Sequence, residues 1–247
     1  MTSPSDLPRR PLWTRPGFLI AAAVVAVIVV VGVAIALLPS PGEDHTPTAR
    51  GTASTGPTTG TAVSPVDPGP TAVPTAAPSG VTWQLLGQVA LPCSESAGPR
   101  RVTASTASGY AHTPTGALIA AAQLGTRASL SSGRDSYEST VERQFVPSAD
   151  RDRLLANLRN AHQEPAEPGE LSQTAGFLFN SYTADTAVIG LVLRAPSPTD
   201  APRYFVSTST LLWRDGDWRM VAPPGGSWLS VTREATDLTG VVEWGPR

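Results

Sequence analysis

Three histidines and one cysteine are the residues of this chain best suited to nucleophilic or metal chemistry. His45, His112 and His162 lie far apart, and no two have the i, i+4 spacing that puts a zinc-binding pair on one helix face. Cys93 and His112 are a conceivable nucleophile pair, but no motif and no third group to orient the imidazole accompany them. We expect His112 to satisfy a backbone group near a helix start, and His162 to lie favourably at a helix C-terminus.

All 18 basic residues are arginine. Without lysine the chain has no phosphate-binding P-loop, and it has no G-x-S-x-G elbow either. A single cysteine leaves no internal disulfide and no thiolate cluster for a metal, although an intermolecular disulfide stays open. We therefore predict no catalytic residue, no cofactor and no metal site, and expect that the protein is not an enzyme.

Two further groups of residues have both a chemical and a structural interpretation. Tyr182 and Asp185 lie between two predicted strands, where a cavity with an acid–base site is one possibility; we favour a hairpin turn at Ala184-Asp185 that faces water. An aromatic set is interpreted as core and cross-strand packing rather than as a ligand box: Tyr204, Phe205, Trp213 and Trp218. The hydroxyl run at residues 207–210 indicates a partly wet strand, which would suit docking of another subunit.

Residues 17–38 are uncharged and almost entirely apolar. At about 1.5 Å per residue, a helix of this length spans the roughly 30 Å hydrocarbon core of a bilayer. Arginines precede the stretch and the acidic pair Glu43-Asp44 follows it, which places the N-terminus in the cytoplasm and the rest outside the cell. We predict a single-pass anchor in membrane lipid; a cleaved signal peptide is the alternative.

The anchor divides the chain into segments of different character. Residues 1–16 form a short cytoplasmic stub. Residues 39–80 hold nine Pro, nine Thr and six Gly, and such a segment buries too little apolar surface to fold, so we predict a disordered linker. A cell-wall spacer and a plain connector both fit it, and glycosylation of its threonines stays open. Residues 81–247 are predicted to form one extracytoplasmic domain.

The first half of this domain carries helical signals. Thr113 and Pro114 suit the N-cap and first turn of a helix that runs to about Arg127. A capping box from Asp135 to Glu138 predicts a second helix, and Ser148 predicts the cap of a third.

The second half carries strand signals of period two. One apolar strand is predicted earlier, over residues 81–91 with an interruption at Gly87, before a turn region over 92–99. Four antiparallel strands are predicted later, over residues 175–182, 186–194, 203–213 and 218–222. Asp215-Gly216 is predicted as a tight hairpin turn that brings Trp213 and Trp218 face to face. The expected fold is α+β, a cone-like domain of three helices against a curved antiparallel sheet, with an unrelated α+β sandwich as the alternative.

One stretch carries a specific resemblance. Gly109-Tyr110-Ala111-His112-Thr113-Pro114, followed by Gly116-Ala117-Leu118 and Ala120-Ala121, resembles an uncharacterised actinobacterial family of integrative conjugative elements. The expected cone is similar to the nuclear-transport-factor-two-like superfamily. The order of stub, anchor, linker and cone resembles the TcpC-type and VirB-type scaffold proteins of type IV secretion systems, although TcpC-type proteins have two such domains.

This resemblance implies a non-catalytic, membrane-anchored scaffold or accessory subunit of a conjugative DNA-transfer apparatus, since scaffolds of this type have no catalytic residues. It also implies other secretion subunits as partners and a homo-oligomer. From residue 81 onward the 14 arginines and 16 acidic residues sum to −2, so direct nucleic-acid binding is not expected. The alternative function is an extracytoplasmic small-ligand-binding or isomerase-like cone domain.

Overall fold

The computed structural model describes residues 72–162, 166–167, 169–197 and 201–246. By compactness the chain divides into Met1–Ala62 and Val63–Arg247, and every described residue belongs to the second unit. The predicted stub, the predicted anchor at 17–38 and the predicted linker up to residue 71 lie outside the described residues. Within the described ranges, no helix is both long enough and apolar enough to cross a membrane.

The described domain has three α-helices: α1 (Pro114–Arg127), α2 (Arg134–Gln144) and α3 (Ala149–Asn160). Two of the predicted caps are confirmed. The Thr113 hydroxyl accepts a hydrogen bond from the Gly116 N–H at the start of α1, and the Ser148 hydroxyl accepts one from the Arg151 N–H at the start of α3. Each cap satisfies a backbone donor that has no partner within the helix.

The predicted capping box of α2 is wrong. The helix begins at Arg134, and its N-cap is Gly133, two residues before the predicted cap Asp135; Gly133 makes no side-chain cap bond. Gly133 has φ +85°, so the chain enters α2 through a conformation that glycine adopts most readily. Glu138 instead binds the Arg134 and Arg159 side chains, which links α2 to α3 at the surface.

Ten strands accompany the helices in the described part of the chain. They are β1 (Val81–Leu86), β2 (Val89–Ser94), β3 (Arg101–Val102), β4 (Ala107–Ser108), β5 (Gln173–Thr183), β6 (Thr186–Ala195), β7 (Arg203–Arg214), β8 (Asp217–Met220), β9 (Thr232–Ala235) and β10 (Val242–Glu243). The main sheet has six antiparallel strands in the order β10-β5-β6-β7-β8, with β9 paired to the first half of β7. β1 pairs with β2, and β3 with β4, as separate hairpins.

The four later strands are confirmed to within about two residues of their predicted ends, and so is the hairpin turn between β7 and β8. Asp215 and Gly216 have φ +53° and +75°, as a tight two-residue hairpin turn requires. Trp213 and Trp218 are directly opposed across the hairpin, and their ring centroids lie 5.4 Å apart.

The single early strand is wrong, because the chain reverses at Gly87-Gln88 and forms the hairpin of β1 and β2. Gly87 has φ +58°, which lets the chain turn within two residues. The turn region predicted for 92–99 begins later than expected, because Pro92 and Cys93 belong to β2. Pro92 is tolerated there because β2 pairs with only one strand.

α1 is the central element of the core. Eleven of its 14 residues are buried, and it packs against β2, β6, β7, β8 and α2. Its alanines and Gly116 allow this close packing, while Leu118 and Leu124 fill the space toward the sheet. The side of the sheet that faces α1 contributes Phe177 and Ile189. The β7–β8 hairpin contributes Leu211, Trp218 and Met220 to the same core. The domain is therefore α+β.

Candidate functional site

His112 immediately precedes the cap of α1 and reaches the turn between β5 and β6. Its Nε2 lies 2.6 Å from the Ala184 carbonyl oxygen and 3.3 Å from Oδ1 of Asp185. Because a carbonyl oxygen only accepts, Nε2 carries the proton and donates it. The prediction that His112 satisfies a backbone group is confirmed, but the group belongs to a turn 72 residues away rather than to the helix start.

Two tryptophan rings pack against this imidazole. The Trp213 ring stacks on it at 4.1 Å between centroids and 7° between planes, and the Trp218 ring meets it edge-on at 5.8 Å. The Tyr182 ring extends the group, with its centroid 6.2 Å from that of Trp218. We call His112, Tyr182, Trp213 and Trp218 the hairpin-tip cluster. The Trp218 indole N–H donates to the Ala111 carbonyl at 2.9 Å, so the fully buried ring also has its polar group satisfied.

Asp217 holds the backbone just before His112. Its Oδ2 accepts from the Gly109 N–H at 2.8 Å, and its Oδ1 accepts from the Tyr110 and Trp218 N–H groups at 3.0 Å each. One carboxylate therefore pairs three backbone donors, two of them more than 100 residues away in the sequence. Hydrogen bonds to a charged acceptor are among the stronger ones in proteins.

Of the two acid–base candidates of the sequence, Asp185 lies against His112 and Tyr182 packs against Trp218, so both make structural contacts. The Asp185 side chain is 66% exposed, which confirms that the Ala184-Asp185 turn faces water. Burial, with a smaller contribution from the Asp185 charge, raises the pKa of the Tyr182 phenol. These residues line neither of the two cavities described below. Their contacts hold the β5–β6 and β7–β8 hairpins against the start of α1.

Cys93 is buried in a polar network between β2 and α1 and is not paired with His112. Its sulfur accepts from Gln123 Nε2 at 3.6 Å, and the same amide nitrogen donates to the Pro92 carbonyl at 3.0 Å. The buried Arg127 donates to Gln123 Oε1 at 3.1 Å. Burial raises the pKa of the Cys93 thiol, which opposes formation of a nucleophilic thiolate. The described residues thus contain no thiol–imidazole pair.

A cavity of about 370 Å³ lies between α1 and the main sheet. We call it the helix–sheet cavity. Small residues of α1 form one wall, hydroxyl and leucine side chains of the sheet form the other, and Trp228 and Glu170 contribute from loops. Its principal lining residues are Ala121, Ala122, Gly125, Thr126, Thr174, Leu191, Leu193, Ser207, Ser209 and Thr232. The wet strand predicted at 207–210 corresponds to this cavity in part, because Ser207 and Ser209 line it.

A second cavity, of about 470 Å³, lies where β1 and β5 approach the C-terminal residues 243–246. We call it the aromatic cleft because Trp83, Tyr204 and Trp244 line it. The Trp83 and Trp244 ring centroids are 5.0 Å apart. Of the predicted aromatic packing set, Trp213 and Trp218 pack as expected, Tyr204 lines this cleft, and Phe205 lies under the Arg203 guanidinium at 5.2 Å.

Comparison with known proteins identifies the family of this chain. A family model described as a domain of unknown function, DUF8175, matches residues 44–243, which is well over half of the chain. The chain belongs to this family. No curated protein and no solved structure matches it. The DUF8175 match contains the hairpin-tip cluster, Asp217 and the helix–sheet cavity, and it ends one residue before Trp244.

Sequence reasoning missed both cavities of this DUF8175 chain. Their lining residues come from distant segments, such as Trp83 and Trp244, and no local spacing connects them. The only local signal was the hydroxyl run at 207–210. No group of three or more His, Cys, Asp or Glu in the described ranges is placed to hold a metal ion.

Proposed function

We propose that this DUF8175 chain is a non-catalytic, membrane-anchored scaffold or accessory subunit of a conjugative, type IV secretion-like DNA-transfer apparatus. The observation that carries the proposal is that the side chains near α1 most able to do chemistry are used for structure. His112 and Asp217 both make hydrogen bonds to backbone groups of other segments. The resemblance of residues 109–121 to a conjugative-element family supports the choice of apparatus. Because these side chains hold the domain's own backbone, we favour a role in binding other proteins over a role in catalysis.

Register shifts in the main sheet support the proposed cone-like shape of the domain. β5 has two register shifts against β6, between Thr174 and Gly176 and between Phe179 and Ser181. Such bulges bend a strand and increase its twist. The long strand β7 pairs with β9 near its start and with β8 near its end, so two short strands share one edge of the sheet. A sheet bent in this way is suited to enclosing one helix.

The membrane part of the proposal rests on the sequence. Residues 17–38 would anchor the chain in lipid, with the N-terminus inside and the DUF8175 domain outside the cell. The near balance of acidic residues and arginines from residue 81 onward favours protein partners over direct DNA binding. Homo-oligomerisation belongs to the same proposal.

The test uses the full chain with a C-terminal tag in cells that carry the transfer apparatus. We expect protease added to protoplasts to remove the tag, and the gently solubilised chain to co-purify with secretion ATPases or channel proteins. A chain truncated after residue 80 is the control, since it keeps the predicted anchor and should lose these partners. Protection of the tag, or equal recovery of partners with the truncated chain, would contradict the proposal.

A second candidate function is the binding of a small neutral ligand, which the helix–sheet cavity favours. Its volume of about 370 Å³ lies within the range of about 300–1,000 Å³ found for small-molecule sites. Among the described residues that line it, Glu170 is the only charged one. Leucines on one wall and several hydroxyl groups suit an uncharged molecule with an apolar body and a hydrogen-bonding group.

Two neighbouring positions on β7 test this second candidate. Ser207 lines the cavity, and Thr208 lies on the opposite face because side chains alternate along a strand. We expect native mass spectrometry of the purified full chain to show a bound small molecule that Ser207→Leu removes and Thr208→Leu retains, with circular dichroism confirming that both variants are folded. Retention of the molecule by Ser207→Leu, or its absence from the unsubstituted chain, would count against ligand binding.

A further inference from the structure

A third cavity, of about 330 Å³, lies between the β3–β4 hairpin, the C-terminal end of α2 and the β7–β8 hairpin. We call it the arginine cavity because Arg101 of β3, Arg143 of α2 and Arg219 of β8 line it. Every other described residue that lines it is a glycine or has a polar side chain, among them Thr106 and Ser108. A lining of this kind suits a charged ligand, in contrast to the helix–sheet cavity and its leucines.

Two of these arginines have no carboxylate partner. Arg101 and Arg143 are exposed, and neither forms an ion pair with any described residue. Elsewhere on the domain, exposed arginines do form such pairs: the guanidinium nitrogens of Arg134, Arg153 and Arg203 lie 3.0–3.2 Å from carboxylate oxygens. The positive charge of Arg101 and Arg143 is therefore available to a ligand.

The two acidic residues at the arginine cavity do not neutralise it. The Asp217 carboxylate accepts from three backbone N–H groups, as described above. The Asp215 side chain is 85% exposed and lies 4.0 Å from Nη2 of Arg219. An exposed pair at that distance is worth little, because water and salt screen it. Three arginines thus line the cavity against two acidic residues, and an anion there gains net attraction.

Contacts between the three elements hold the walls of the cavity in place. Arg101 is paired directly with Ser108 across the β3–β4 hairpin, so the two side chains share one face. The Asp217 carboxylate binds the backbone just after β4, and Nη1 of Arg219 donates to the Arg143 carbonyl in the last turn of α2. A site whose walls are fixed before binding loses less entropy when a ligand arrives.

The number of arginines favours a phosphate group over a carboxylate. A carboxylate has two oxygens in one plane, which one or two guanidinium groups satisfy. A phosphate monoester has three terminal oxygens and a charge of about −1.5 to −2 at neutral pH, so it can engage three arginines that come from different elements. The half-buried Ser108 hydroxyl has no partner among the described residues and adds a further donor.

We propose that the arginine cavity binds the phosphate group of a small, polar phosphomonoester. Arg101 and Arg143 bind the phosphate oxygens, Arg219 adds its charge from β8, and the Ser108 hydroxyl donates a hydrogen bond. The volume of about 330 Å³ is near the lower end of the range of about 300–1,000 Å³ for small-molecule sites, so a phosphate with a short hydroxylated body fills it. This site is separate from the helix–sheet cavity and does not depend on the proposed function.

The first test is isothermal titration calorimetry of the full chain in micelles of an uncharged detergent, with inorganic phosphate and glycerol phosphate as probes. We expect both to bind, and Arg101→Gln/Arg143→Gln to weaken their binding about tenfold or more, because charge-assisted hydrogen bonds are lost. The control Arg194→Gln/Arg233→Gln removes two exposed arginines that also lack an ion pair with any described residue but do not line this cavity. Equal affinities of the two double variants, or no binding of either probe, would overturn the proposal.

A dicarboxylate distinguishes a phosphate site from a general patch of positive charge. Malonate carries two negative charges but presents them on two separate planar groups. We expect malonate to bind the unsubstituted chain about tenfold more weakly than inorganic phosphate does, because it cannot direct three oxygens of one group to the three arginines. Equal affinities for malonate and phosphate would show that the arginines attract any anion, and the proposal would be wrong.

Phosphomonoesters occur both free in solution and as a lipid headgroup, and competition separates these two sources. The full chain is reconstituted in phosphatidylcholine nanodiscs that contain either phosphatidic acid, a phosphomonoester, or the anionic diester phosphatidylglycerol as the control. Weaker binding of glycerol phosphate in the discs with phosphatidic acid would assign the site to the lipid headgroup, and equal binding would assign it to a soluble ligand. We expect Arg101→Gln/Arg143→Gln to weaken glycerol phosphate binding in the control discs; unchanged binding there would mean that the arginine cavity is not the site.

Discussion

Replacing Asp217 with asparagine is expected to lower the free energy of unfolding by about 2–3 kcal/mol, since each hydrogen bond to a charged group is worth about 1.5–3 kcal/mol. The carboxylate pairs three backbone donors with two oxygens. Asparagine keeps one acceptor oxygen for Tyr110 and Trp218. It puts an NH2 group where Oδ2 accepted from Gly109, so two donors face each other and one bond is lost outright.

Asp215→Asn is the matched control, because it makes the same chemical change two residues earlier in the hairpin. The Asp215 side chain is 85% exposed and lies 4.0 Å from Arg219, and its φ of +53° is one that asparagine tolerates. We expect a change within about 0.5 kcal/mol. Urea unfolding of the full chain in detergent, followed by circular dichroism, measures both variants. Equal midpoints for the two would show that the Asp217 contacts do not hold the hairpin to α1.

Signals contained in a few neighbouring residues predicted most of the local structure. Thr113-Pro114 and Ser148 marked the starts of α1 and α3 because a cap acts on donors two or three residues away. Asp215-Gly216 marked a hairpin turn because its two positive φ values suit these residue types. Their contributions are local, so the rest of the fold changes them little.

The wrong predictions concern structure that depends on contacts between distant parts of the chain. Gly87-Gln88 is a weak turn signal, and β1 and β2 form a hairpin there because all of β2 becomes buried between α1 and the start of β5. The Gln173 side chain fixes that position by accepting from the Ala90 N–H and donating to the Gln88 carbonyl. These contacts join residues more than 80 positions apart, so no window of sequence contains both partners.

The contacts of the candidate sites could not be predicted either, because their partners are also far apart in the sequence. His112 was correctly interpreted as a backbone partner, yet its acceptor is the Ala184 carbonyl of a turn formed by other strands. The short strands β9 and β10 pair with β7 and β5 and place Thr232 and Trp244 at the two cavities. A two-residue or four-residue strand has too little pattern to be identified before its partner strand is known.

Gly116→Ala is expected to have a large effect for the addition of a single methyl group. A Cβ at Gly116 would lie 2.0 Å from the Ala111 carbonyl oxygen, a distance that only a backbone shift can relieve. The same oxygen accepts from the Thr113 N–H at 2.8 Å and from the Trp218 indole N–H at 2.9 Å. Moving it therefore breaks the start of α1 away from the β7–β8 hairpin and leaves the buried Trp218 N–H unpaired.

Overpacking costs about 1–3 kcal/mol or more and an unpaired buried donor about 1–3 kcal/mol, so we expect Gly116→Ala to lower the free energy of unfolding by about 3–5 kcal/mol. Gly125→Ala is the control in the same helix, because its Cβ would meet only Met220 Cε at 4.0 Å. Alanine is the better helix former, so Gly125→Ala should stabilise the domain by up to about 1 kcal/mol. Urea unfolding compares the two. A Gly116→Ala variant as stable as Gly125→Ala would mean that the Ala111 carbonyl is not fixed in place, and that its hydrogen bond to Trp218 does not hold the hairpin-tip cluster to α1.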